Sequence, residues 1–104
     1  MKVVSIRPCE RSSLYGNLVK REAAIRKKGL GTFSRSGRKK RGSAIWKHKR
    51  FRGSINLKRE RDEVVTARIR STVPEDERRL LSSFLGFIDR NCGGQVRSIT
   101  IDYH

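Results

Sequence analysis

Apolar positions recur along this chain with two periods, and between them lies a stretch with neither. Residues 2–7, KVVSIR, are short and β-branched, and Pro8 denies the next position a backbone donor, so a strand is expected to end there. Over residues 12–28, Leu14, Tyr15, Leu18, Val19 and Ile25 share one broad face at 100° per residue. Ser12 or Ser13 is placed to cap that helix, and Arg26, Lys27 and Lys28 before Gly29 and Gly31 oppose the dipole at its end. Gly16 and Glu22 interrupt the apolar face. Further on, residues 62–71 contain VVTARIR, a second β-branched strand. Thr72 and Glu75 then have capping-box spacing, Pro74 suits a first turn, and Glu75, Asp76 and Glu77 complement the positive end of a helix dipole. Leu80, Leu81, Phe84, Leu85 and Ile88 form a stripe at helical spacing that stops at Asn91-Cys92-Gly93-Gly94. In residues 95–103, Ile99, Ile101 and Tyr103 alternate with Ser98, Thr100 and Asp102 as a last strand.

The middle behaves differently. Residues 31–43 hold glycine, serine and five basic residues around a single large apolar one, Phe33, which predicts a mobile basic loop. Residues 44–61 read as a basic β-hairpin, with strands at 44–52 and 55–61 joined by a two-residue turn at Gly53-Ser54. One face of that hairpin carries Trp46, His48, Arg50, Arg52, Ile55, Leu57, Arg59 and Arg61, and the other Ile45, Lys47, Lys49, Phe51, Asn56 and Lys58. Neither face is clean enough to bury whole, so the hairpin is expected to project past the core or to lie at its edge.

In order, the elements are β, α, β and then β, α, β, with weakly similar opening strands. Two such halves predict an α+β fold, a ferredoxin-like βαββαβ sandwich with both helices on one sheet face and a protruding basic loop and hairpin. The alternative is an antiparallel sheet whose middle segment adds a ribbon while the first helix packs elsewhere. A chain of 104 residues has room for one domain, residues 1–104. Its hydrophobic content of 35% is low enough that most apolar residues must face one core.

Charge locates the function. Residues 20–61 contain seventeen Lys and Arg against Glu22 and Glu60, and so carry fifteen of the sixteen net positive charges; residues 62–104 are close to neutral. This asymmetry predicts a polyanionic partner. Arg38-Lys39-Lys40-Arg41, between Gly37 and Gly42, is a cluster whose flexible cations can reach successive phosphates and release condensed counterions. Taken alone it reads equally as a solubilising or nuclear-targeting tract. The hairpin continues the charge, and the expected nucleic-acid contacts are Arg35, Arg38, Lys39, Lys40, Arg41, Trp46, Lys47, Lys49, Arg50, Phe51, Arg52, Lys58, Arg59 and Arg61. Trp46, Phe51 and Phe33 interleave with cations and can stack on unpaired bases, which favours RNA or single-stranded DNA over duplex; their other reading is core packing. Sequence specificity is expected to be limited. Helix-turn-helix, zinc-finger and RNP-type aromatic signatures are absent from the sequence.

Two further readings of the basic zone compete. His48, with Glu60 or Arg50, is the candidate general base or acid of a small toxin-like ribonuclease. The same charge suits an adaptor for an acidic protein surface. No phosphate-cradling glycine loop is present, so no cofactor is expected, and the histidines and carboxylates of the basic zone do not group as metal ligands. Cys9 and Cys92 are too few for a disulfide framework, and two free thiols at opposite ends of the sheet are expected. Without a run of about 18 apolar residues or a secretory pattern at residues 1–12, the expectation is no membrane span and an intracellular protein, cytoplasmic, or nuclear in a eukaryote.

Overall fold

The computed structural model of the chain describes residues 1–10 and 13–104, without the side chain of Lys39. The expected cap Ser12 lies outside the described residues. β1 (Lys2–Pro8) is followed by α1 (Leu14–Lys27), then by β2 (Phe33–Lys40), β3 (Ser43–His48), β4 (Ser54–Arg59) and β5 (Val65–Arg70). α2 (Pro74–Cys92) and β6 (Val96–Tyr103) complete the chain. The six strands form one antiparallel sheet in the order β2-β3-β4-β5-β1-β6. The two resembling strands, KVVSIR and VVTARIR, are direct neighbours, with Val4 opposite Ala67.

The alternation within each strand divides the sheet into two unlike faces. Val4, Ile6, Ala44, Trp46, Ile55, Leu57, Val65, Ala67 and Ile69 are buried on one face, with Leu14, Tyr15 and Leu18 of α1 and Leu80, Leu81, Phe84, Phe87 and Ile88 of α2 completing the core. The α2 stripe is that expected from spacing except that Phe87 is buried and Leu85 only partly so. Among the described residues no helix is long and apolar enough to cross a membrane.

Three expectations are corrected. Residues 33–40 are not a loop but the edge strand β2, which pairs Phe33 with His48 and Arg35 with Trp46. Phe33 supplies the reason: it is buried, its ring centroid 5.8 Å from that of Trp46 and 5.9 Å from that of Phe87. An edge strand pairs on one side only, so it tolerates the serines and cations that argued against a strand here. The hairpin, in turn, does not protrude. Its strands end at His48 and resume at Ser54, so Arg50 and Arg52, which spoiled its core face on paper, lie in the connecting segment 49–53 and not on a strand. Ala44, Trp46, Ile55 and Leu57 then bury together. Cys9 and Cys92 are free but not at opposite ends: the Cys9 amide donates to the Gln95 carbonyl at 2.7 Å, three residues past Cys92.

The longer turn depends on Gly53. Its φ of +124° is strained for any side chain, and a Cβ there would fall onto the Arg70 carbonyl oxygen and 2.8 Å from Leu80 Cδ1. Gly53→Ala is therefore expected to cost about 1–3 kcal/mol from backbone conformation alone, with the clash added. Urea denaturation measures it, and a loss under about 0.5 kcal/mol, the range of neutral surface changes, contradicts this account of the turn.

Candidate nucleic-acid interface

Both helices pack on one side of the sheet, which leaves its other face to solvent. Strand register builds that face as rows across the molecule. One row runs Ser36, Ile45, Asn56, Arg68, Val3 and Asp102, and the next Lys40, Ser43, Lys58, Thr66, Ser5 and Thr100. Lys47 stands opposite Ser34, and Arg70 opposite Ser54. Short hydroxyl and amide side chains thus separate the exposed cations Lys40, Lys47, Lys58, Arg68 and Arg70, and Ile45 is 40% exposed among them. In these two rows Asp102, on the far edge strand, is the sole carboxylate.

Two shallow concavities mark this face. One is lined by Ser36, Arg38, Lys40, Ile45 and Asn56, and its neighbour by Lys58, Glu60, Thr66, Arg68 and Arg70. They meet at Ser43, Asn56 and Leu57, where Asn56 Oδ1 is buried without a hydrogen-bond partner among the described residues.

The sequence-predicted residues fall into separate groups. Arg38, Lys40 and Arg41 belong to the β2–β3 turn region, at the same end as Arg59 and Arg61; the Arg59 amide donates to the Gly42 carbonyl at 2.9 Å. Lys47 and Lys58 point to the open face. Lys49, Arg50, Phe51 and Arg52 sit in the opposite turn, tied down by the Lys49 amide on the Thr32 carbonyl at 2.9 Å and the Arg52 amide on Asp76 Oδ2 at 3.0 Å. Arg35 and Arg59 lie on the helix side of the sheet. The backbone of Lys39 belongs to β2, while its side chain lies outside what is described.

Trp46 does not stack on a ligand. It is fully buried, and of its two readings core packing is the one realised. Phe51 is partly buried against the core, stacked on His48 at 4.4 Å and covered by the Arg79 guanidinium at 5.6 Å. Sequence reasoning passed over Arg68 and Arg70, although period two in VVTARIR puts Thr66, Arg68 and Arg70 together on the polar side of β5.

Carboxylates leave most of this charge unmatched. Arg59 pairs with Glu63, Arg26 with Glu22, Lys2 with Glu77 and Arg79 with Glu75. Among the described residues, Lys40, Lys47, Lys58, Arg68 and Arg70 of the open face form no ion pair, nor do Arg38 and Arg41 beside them.

His48 has a structural task. Its Nδ1 accepts the Arg50 amide at 3.0 Å, its ring stacks on Phe51, and it meets the Phe33 ring edge-on at 5.2 Å. Glu60 follows β4 at the opposite end of the hairpin, so the His48–Glu60 pair is not assembled, while Arg50 meets His48 through its backbone amide. Burial, aided by the neighbouring Arg50, holds the His48 imidazole below its ordinary range. Because the folded form resists the proton that the unfolded chain accepts near pH 6.5, stability is full above that value and falls as pH drops below it. His48→Gln is expected to shrink the fall in melting temperature between pH 7.5 and 5; an unchanged fall would locate the titration elsewhere. No group of three or more His, Cys, Asp or Glu among the described residues could hold a metal ion.

No protein-family model matches the chain, and neither a curated protein nor a solved structure is significantly similar to it.

Proposed function

We propose that this protein binds single-stranded nucleic acid, RNA in the first place, by laying the phosphate backbone across the open sheet face with limited sequence preference. The observation that carries this reading is the set of unpaired cations Lys40, Lys47, Lys58, Arg68 and Arg70, spaced by short neutral side chains on a face that no helix covers. Rows of cations next to hydroxyls and amides suit phosphate and ribose oxygens, and Asn56 offers an unspent acceptor to a base N–H. Duplex readers commonly insert a helix into a groove, whereas both helices here bury their apolar faces against the sheet. A flat face asks instead for a strand whose bases are free to turn. We further read β4-β5-β1-β6 with the two helices as a ferredoxin-like unit to which β2 and β3 are added at one edge; the support is the adjacency and antiparallel pairing of those four strands.

Fluorescence anisotropy with a labelled oligoribonucleotide tests the function. Affinity is expected to fall linearly on a log-log plot against salt, with a slope near −3 if four or five phosphates are neutralised at about 0.7 each. Absence of binding at low salt, or binding indifferent to salt, rejects the proposal.

A further inference from the structure

A separate concavity of about 260 Å3 opens on the helix side of the sheet, between the start of α1 and the β2–β3 turn. Its wall is apolar, from Tyr15, Val19 and Ala44, and its rim carries Lys20, Arg35, Lys40, Arg41 and Arg59 with no carboxylate among the lining residues. Glu63 pairs with Arg59, and the buried Glu22 faces Arg26 and Arg35, so at most two of the five rim charges are answered from outside. Two further observations point to an anion. Arg35 Nε is buried with no hydrogen-bond partner among the described residues, a desolvated donor left unused. α1 begins at Leu14 with no acidic residue in its first turn and no side-chain hydrogen bond from Ser13, and its first internal bond runs from the Asn17 amide to the Ser13 carbonyl. The amides of Tyr15 and Gly16 therefore stand at the positive end of a helix dipole beside the rim, the arrangement that receives phosphate elsewhere.

Apolar wall and cationic rim together fit a ligand with one flat, weakly polar part and one charged part. We infer that this concavity holds a single nucleotide unit, its phosphate against the start of α1, Lys20 and Arg41, and its base against Val19 and Ala44. For its ligand class the inference rests on the function proposed above: Lys40 and Ser43 line both this concavity and the first one on the open face, so a strand crossing that face can turn one nucleotide over the sheet edge into it.

The probes are adenosine 5′-monophosphate, adenosine and inorganic phosphate, titrated into the whole protein by calorimetry. The monophosphate is expected to bind about ten-fold or more tighter than either fragment, the separation that 1.4 kcal/mol of joint contact produces. Val19→Phe, which fills the wall without altering charge, is expected to abolish that preference. If the phenylalanine destabilises the fold, as a lowered melting temperature would reveal, Lys20→Ala on the exposed rim is expected to weaken the monophosphate and phosphate together and leave adenosine unchanged. Phosphate binding as well as the monophosphate, or a folded Val19→Phe protein that retains the preference, overturns the inference. Oligoribonucleotide binding measured on the same samples separates the two ideas: monophosphate failing while RNA binds removes the pocket alone, and RNA failing while monophosphate saturates removes the open-face reading alone.

Discussion

Trp46→Ala is expected to destabilise the protein by about 3–5 kcal/mol, the usual loss for a large buried aromatic ring. The ring is 0% exposed, with the centroids of Phe87, Phe33 and Phe84 at 5.1, 5.8 and 6.1 Å around it, so two elements, β2 and α2, lean on this one side chain. The surrounding groups are rings with few alternative rotamers, which limits how far they can collapse into the space. Domains of this size have total stabilities of about 5–15 kcal/mol, so the change removes a large share. Each kcal/mol lowers the melting temperature by roughly 4–8 °C. Circular dichroism in urea is the suitable measurement, since the substitution deletes the main fluorophore. A loss under about 1 kcal/mol would show that the aromatic cluster is not the centre of the core and would return Trp46 to the list of residues free to meet a base.

That outcome turns on a choice the sequence left open. Trp46 stands among cations, and composition alone cannot say whether a ring between Lys47 and Ile45 faces solvent or helices. What decides is strand parity, which puts Ala44, Trp46, Ile55 and Leu57 on one side once the strands end at His48 and Ser54. The connecting segment hid this, because a five-residue link can be drawn as a two-residue turn if Gly53 is taken as its first position. The same blindness affected β2. Its partner is remote in composition, its only apolar anchor is Phe33, and the benefit of that anchor comes from Phe87, over fifty residues away. Local patterns could not price such a contact. Where burial repeats locally, the pattern is legible: α2 runs from Pro74 with Glu75, Asp76 and Glu77 in its first turn, and β1, β5 and β6 lie where alternation puts them. The N-cap of α2, however, is Val73 with no side-chain hydrogen bond, in place of the Thr72–Glu75 capping box. The site followed the fold. The importance of the basic middle segment was legible from charge, whereas the exposure of one entire sheet face, which adds Arg68 and Arg70 and withdraws Trp46, depended on where the helices packed.

The second large effect separates a binding face from mere net charge. Replacing Lys58, Arg68 and Arg70 by alanine is expected to reduce the salt slope by about 2 and to weaken oligoribonucleotide binding about 100-fold at 0.1 M salt, with each lost phosphate contact counting about 0.7 in the slope. The triple change Arg38, Lys40 and Arg41 to alanine is expected to act similarly, since that end of the sheet continues the same rows. All six side chains are exposed and form no ion pair among the described residues, so the melting temperature is expected to stay nearly constant, in contrast to Trp46→Ala. Arg21, Lys27 and Lys28 make the control. They remove the same three charges from α1 and the residue that follows it, on the side of the sheet away from the open face. If a polyanion is drawn only by the overall field, all three triples weaken binding equally, because the field depends on net charge and distance. If phosphates rest on the open face, the α1 triple shifts the affinity a little and leaves the slope close to that of the unaltered protein, because counterions are released where contacts form. Equal slopes for all three would therefore sink the interface while leaving the protein's attraction to polyanions intact, and no change from the Lys58, Arg68 and Arg70 triple would sink it outright.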